Sequence, residues 1–225
     1  MAPYRALWEA LPEPDPAACW EHGLAAIRRG RAALIPLTLL GVLAAVVGAS
    51  LSRSLAGALG GLAFALFVTA PFQAGFAYVC LRAARGVPTA PRHALKALDN
   101  YREAVASTAL VWLGTTLGLA CFVAPGVVFY CRTRFVPYLV VEEGLDAAAA
   151  IQESFRLTRG HEAAILGVTA LGLAACGVGL LLFGVGVVPA LVWWDAALAS
   201  LYHAVVLPSE AWDPESRLMR PLARA

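Results

Sequence analysis

Charge is scarce in this sequence. Only 14% of its 225 residues are Asp, Glu, Lys or Arg, against about 25% in soluble domains. The net charge of +2 gives little grip on a polyanion, so no nucleic-acid partner is expected. Catalytic signatures are missing too. There is no GxGxxG for a dinucleotide, no GxxxxGK[ST] phosphate loop, no HExxH zinc pair and no GxSxG nucleophile elbow. Ser154 has no His or Lys base at useful spacing and reads as a packing or capping hydroxyl. The expectation is a protein that is not an enzyme and needs no cofactor.

Paired cysteines are also lacking. Cys19, Cys80, Cys121, Cys131 and Cys176 are scattered, with no CxxC and no histidine at ligand spacing, so neither a disulfide framework nor a metal site is expected. They read as small buried hydrophobes. A cleavable signal peptide is not expected either: the chain opens on a Pro-rich acidic stretch, LPEPDPAA, rather than a basic segment feeding an apolar one. The first membrane span would then serve as an uncleaved insertion signal.

Hydrophobicity is abundant: 60% of residues are hydrophobic and the mean hydropathy is +0.71. The fold expected is all-α and polytopic, with about six spans at 32–51, 55–81, 105–123, 127–141, 163–183 and 187–207. A run of about 20 apolar residues crosses a hydrocarbon core of about 30 Å. One membrane domain, 16–207, would lie between polar tails at 1–15 and 208–225. The segment 127–141 is short and holds Arg132 and Arg134, and is read as a tilted span with its arginines facing the bundle or snorkelling.

Each pair of spans follows a short amphipathic stretch. Asp15-Pro16 opens the first as N-cap and first helical residue, with Trp20, Leu24 and Ile27 on one face that suits the headgroup layer. Pro91 opens the second, RHALKALDNYREA. The third, Leu145 to Arg159, groups Ala147, Ala148, Ile151, Phe155 and Thr158 opposite Asp146, Gln152, Glu153, Arg156 and Arg159. The pattern of helix, span, turn, span thus occurs three times, and IRRGRAALI (27–35) aligns with LTRGHEAAI (157–165), as an internal duplication would. With six spans, Arg28, Arg29, Arg31, Arg82, Arg85, Arg92, Lys96, Arg102, Arg156, Arg159 and the C-terminal arginines fall on one side, leaving Arg53 opposite. That side, with both termini, is expected to be cytoplasmic.

From Pro125 to Gly160 the chain resembles a family of bacterial integral membrane proteins of unknown function. It includes YciC-like proteins and the membrane domain fused to some glycerophosphodiester phosphodiesterases. Pro125-Gly126, Arg134-Phe135, Glu142, Ala149, Ser154-Phe155, Leu157 and Gly160 match its pattern, and Pro189 to Tyr202 is similar to its closing Pro…Tyr element. Ala148 to Ala150 stand where a glutamate is usual before the alanine. No phosphodiesterase domain accompanies the match, so the resemblance implies residence in a bacterial inner membrane rather than a reaction.

The candidate functional residues are the polar groups caught inside apolar runs. A charge at the bilayer centre costs at least about 2.5–3.5 kcal/mol, so intramembrane arginines should have partners. For Arg132 and Arg134 the candidates are Asp195, Glu142 and Glu153. Gln73 and His203 could extend a polar track from Asp195. Two functions are expected from different classes. The first is a module that binds membrane lipids, including anionic phospholipids, or organises a membrane-protein partner or a second copy, with Arg132, Arg134, Arg156 and Arg159 on headgroups. The alternative is a small transporter or lipid translocase whose path is lined by Asp195, Arg134 and Gln73. That alternative requires a cavity that Asp195 faces rather than being sealed against Arg134; broken helices at the midplane would support it, whereas the breaks at Pro125 and Gly184–Gly186 fall at span ends and count against it.

Overall fold

A computed structural model describes residues 14–53, 55–181 and 186–209. Most of the expected tails at 1–15 and 208–225 lies outside the described residues, as do Gly184 and the C-terminal arginines, while Pro208 and Ser209 belong to the last helix rather than to a tail. Among the described residues the chain is all-helical. It contains α1 (Pro16–Leu51), α2 (Leu55–Phe64), a π-helical segment (Ala65–Thr69), α3 (Ala70–Ala84), a 3-10 helix (Pro91–Leu98), α4 (Tyr101–Cys121), α5 (Val123–Arg132), α6 (Val136–Glu142), α7 (Ala147–Thr158), α8 (Glu162–Leu181) and α9 (Val187–Ser209). Four helices are long and apolar enough to cross a membrane: α1, the rod Gly57–Ala84 formed by α2, the π segment and α3, α4, and α8.

The apolar surface is turned outward. Leu39, Leu43 and Val46 on α1, Leu59 on α2, Leu113 on α4 and Leu181 on α8 are each more than half exposed, too much contiguous apolar surface for water and a natural one for lipid. The centre belongs to α9, which carries Asp195, Trp193, Trp194 and His203. From Ala196 to Val206 every one of its residues is buried. The polar groups that α9 carries are thereby kept inside the bundle, because in lipid there is no gain from hiding hydrocarbon and every gain from partnering polar groups.

Small residues bring the helices together. A Cβ on Gly23 of α1 would lie 2.8 Å from the backbone nitrogen of Ala197 on α9, and one on Gly118 of α4 would lie 2.8 Å from the Gly126 Cα of α5. Gly179 and Gly186 give α8 and α9 an equally close approach. Such contacts are open only to backbones without side chains between them.

The structure revises four expectations. The stretch at 16–29 is not a separate interfacial helix: α1 runs unbroken for 36 residues, about 54 Å, with Cys19, Gly23, Ala26, Gly30 and Ala33 buried along it. Trp20 stacks on Trp193 at 4.7 Å, and the Trp193 indole N–H donates to the Trp20 carbonyl at 2.8 Å. The second amphipathic stretch divides into a 3-10 helix and, after a turn at Asp99-Asn100, the start of α4. Here the Ala90 N–H donates to His93 Nδ1 at 2.9 Å. Burial, with Arg82 and Arg92 nearby, holds that imidazole below its ordinary pKa, which keeps the ring neutral and able to accept. On α7 the buried stripe is Ala147, Ala150, Ser154, Leu157 and Thr158, so Ala148 is exposed and the inward face is rotated from the expected one. Ser154 sets that rotation by donating to the Arg132 carbonyl at 2.6 Å.

The fourth revision bears on function. Segment 127–141 is not one unbroken helix. α5 ends at Arg132, a turn follows through Thr133–Phe135, and α6 restarts at Val136 with Pro137 in its first turn, where the missing N–H costs no helical bond. The preceding break falls at Phe122, whose backbone is extended (φ −164°, ψ 146°), so Pro125-Gly126 sits inside the first turn of α5 rather than at the end of α4.

Candidate functional site

The turn between α5 and α6 carries Arg134 into the bundle. Thr133 closes α5 by donating its hydroxyl to the Phe129 carbonyl at 2.9 Å. Phe135 is fully buried and meets the Tyr202 ring edge-on at 5.3 Å, which pins the far side of the break. Between these anchors Arg134 lies over two rings, Tyr130 at 4.8 Å and Trp194 at 5.3 Å. Trp194 is held there by a glycine: a Cβ on Gly172 of α8 would come within 2.4 Å of its indole.

Arg134 lines a cavity of about 410 Å³ together with Gln73, Asp195, Phe72, Tyr138 and Trp194. The three residues proposed from sequence for a polar path, Asp195, Arg134 and Gln73, thus come together although they lie on three separate segments. Arg134 and Asp195 are each partly accessible, and the two make no ion pair. Arg134 Nε and Trp194 Nε1 are buried without a hydrogen-bond partner. Val42 and Leu191 also line the cavity and are exposed on the apolar surface, 38% and 44%, so the cavity borders the surface that faces lipid.

The facing wall is itself irregular. The π segment Ala65–Thr69 precedes Pro71, and Thr69 reaches the cavity. Pro71 has no N–H to offer the turn before it; in that turn the Phe67 carbonyl accepts the Tyr101 hydroxyl at 2.8 Å. A π turn inside an α-helix is rare and concentrates at functional sites.

A second polar cluster lies further along α9. Both terminal guanidinium nitrogens of Arg85 reach Glu142, Nη1 on Oε1 and Nη2 on Oε2, the latter at 3.2 Å. The Tyr202 hydroxyl donates to Glu142 Oε2 at 3.1 Å, and Arg85 Nε donates to His203 Nδ1 at 3.4 Å. The Arg85 and Glu142 side chains are only 14% and 17% exposed. Tyr138 connects the two sites: it lines the cavity and stacks on Tyr202 at 4.8 Å. Sequence reasoning counts Arg85 only among the basic residues that mark one side, since an arginine at a span end ordinarily marks topology. Tyr202 had one signal, the Pro…Tyr similarity.

The pairings expected for the other candidates are replaced. Glu142 is held by Arg85, not by Arg132 or Arg134. Arg132 bridges to Glu162 at 3.2 Å and lies 5.8 Å from the Phe155 ring. Glu153 bridges to Arg156 one turn away on the exposed face of α7, and Arg159 is the exposed residue that ends α7. Arg132, Arg134, Arg156 and Arg159 thus have separate surroundings: an ion pair with Glu162, two aromatic rings, an ion pair with Glu153, and the exposed end of α7. His203 belongs to the Arg85 cluster and not to the cavity. Among the described residues no group of three or more metal-ligating side chains converges.

The chain matches no protein-family model, no curated protein and no solved structure.

Proposed function

We propose that this chain is a non-enzymatic membrane protein that moves a polar-headed substrate through its bundle, as a lipid translocase or small transporter. The observation that carries this reading is the cavity that Arg134 and Asp195 both line with no ion pair between them. Opposed charges in a low-dielectric bundle attract strongly, and a purely structural pair would be closed. The break at Thr133–Phe135 and the π turn opposite give the cavity two irregular walls, the arrangement that binding sites in transporters use.

The architecture proposed is six spans, with α5 and α6 together as the broken fourth and α9 as the sixth. The basic residues Arg28, Arg29, Arg31, Arg82 and Arg92 mark the cytoplasmic side and both termini lie there. Bacterial inner-membrane residence and kinship with the YciC-like family belong to the same proposal, on the residues quoted above. Binding of a lipid without moving it, as a lipid-interacting or partner-organising module would, is the second reading; the same lateral mouth between Val42 and Leu191 favours it.

The two readings separate in reconstituted vesicles. Fluorescent tail-labelled phospholipids are incorporated in both leaflets and quenched from outside with dithionite. Vesicles holding the wild-type chain are expected to lose the inner-leaflet signal as well, and Asp195→Asn and Arg134→Gln to slow that loss. If wild-type vesicles quench no further than protein-free ones, translocation of lipid is wrong and binding alone remains.

A further inference from the structure

We infer that the ligand of this cavity is a zwitterionic membrane lipid, its ammonium at Asp195, its phosphate at Arg134 and a hydrocarbon chain in the groove between α1 and α9. The inference rests on the reading of the cavity as a substrate site and names the class of substrate.

The headgroup follows from the charges. A purely anionic head would satisfy Arg134 and leave Asp195 facing a like charge; a purely cationic one would do the reverse. A head carrying both signs fits both, and the guanidinium suits phosphate oxygens through more than one donor. Gln73, exposed on the cavity wall, adds an amide for ester oxygens.

The tail follows from a second cavity. About 370 Å³ lies along α1 and α9, lined by Leu24, Ile27, Leu34, Ile35, Leu39 and Trp193, with Arg31 also on its wall. Thr38, Val188 and Val192 line both cavities, so the polar chamber and the apolar groove adjoin. A free zwitterion would have no use for the groove, and a hydrocarbon alone none for the charges. A lipid uses both.

The test is a binding titration followed by native mass spectrometry of the full chain in a maltoside detergent. The probes are phosphatidylethanolamine, phosphatidylglycerol and the bare headgroup phosphoethanolamine. Phosphatidylethanolamine is expected to bind roughly tenfold tighter than phosphatidylglycerol, the worth of one charge-assisted hydrogen bond. Asp195→Asn should abolish that preference while retaining phosphatidylglycerol, and Ile35→Trp, at an exposed position on the groove, should weaken lipid binding. Equal binding of the two lipids by wild type, or a preference unchanged in Asp195→Asn, overturns the zwitterion assignment. Phosphoethanolamine binding as well as the lipid, with Ile35→Trp silent, overturns the lipid and assigns the cavity to a free solute. Binding and movement are read separately: dithionite quenching without headgroup preference leaves translocation standing and removes this ligand, and preference without quenching does the opposite.

Discussion

Two opposed charge sites lie along α9, about 10 Å apart by helical rise, and they are built in contrary ways. At Tyr202 the Arg85 guanidinium and the Glu142 carboxylate are joined at both ends, with Tyr202 and His203 filling further hydrogen-bonding positions. At Asp195 the facing arginine lies over two aromatic rings and makes no bond to the acid. The first site has its two charges paired with each other. The second retains donors and an acceptor beside empty space, which is what a ligand needs. The lesson is that a buried charge in a membrane bundle signals function by what it leaves unmade, and its presence in an apolar run is only the start of the argument.

The sharpest way to break the contrast is to remove one partner from each site and compare unfolding in detergent. Glu142→Ala leaves Arg85 buried opposite nothing, and a loss of about 3–5 kcal/mol is expected. A midpoint close to wild type would mean that Arg85 finds water or another acid, and that the first site is no more closed than the second. Tyr202→Phe keeps the ring stacked on Tyr138 and deletes one hydrogen bond to a carboxylate, so a smaller loss of about 1.5–3 kcal/mol is expected from the same measurement. The smallest effect belongs to the open site. Arg134→Gln and Asp195→Asn should each change stability by less than about 1 kcal/mol, Asp195→Asn in the stabilising direction, because an unpaired carboxylate carries a desolvation cost that an amide largely escapes. A loss as large as that of Glu142→Ala would show that Arg134 and Asp195 support each other in the fold, and would remove the reason for assigning them a ligand.

Legibility in the sequence followed the same division. The apolar runs announced helices and a membrane because both depend on composition and length alone. Asp195, Arg134 and Gln73 could be picked out one at a time by the cost of polar groups among apolar ones. Their partners could not, because partnership depends on which helix faces face each other. Arg85 was passed over for that reason, and Glu142 was matched with the wrong arginine. The aligned stretches IRRGRAALI and LTRGHEAAI show the limit at the level of backbone. Gly30 continues a helix and lies where a Cβ would come within 2.9 Å of the Ala83 Cβ. Gly160 adopts φ +86° with open space around it, and Glu162 accepts its N–H at 2.9 Å, so one helix stops and another starts. Ala32 stands where Glu162 does in the other copy and has no carboxylate with which to restart anything.

By itself the sequence determined that this chain is helical and greasy outside, with a handful of charges that an apolar setting makes expensive. Those outcomes follow from side-chain hydration and the 1.5 Å rise of a helix, which are properties of each residue or each run. Only the tertiary structure decided which charges neutralise and which stay open. That choice is made by glycines such as Gly23 and Gly172, which fix how closely α9 meets its neighbours, and by the broken turn at Thr133–Phe135. Coulomb energy depends on separation and surroundings, and both are set by packing between segments far apart in the chain.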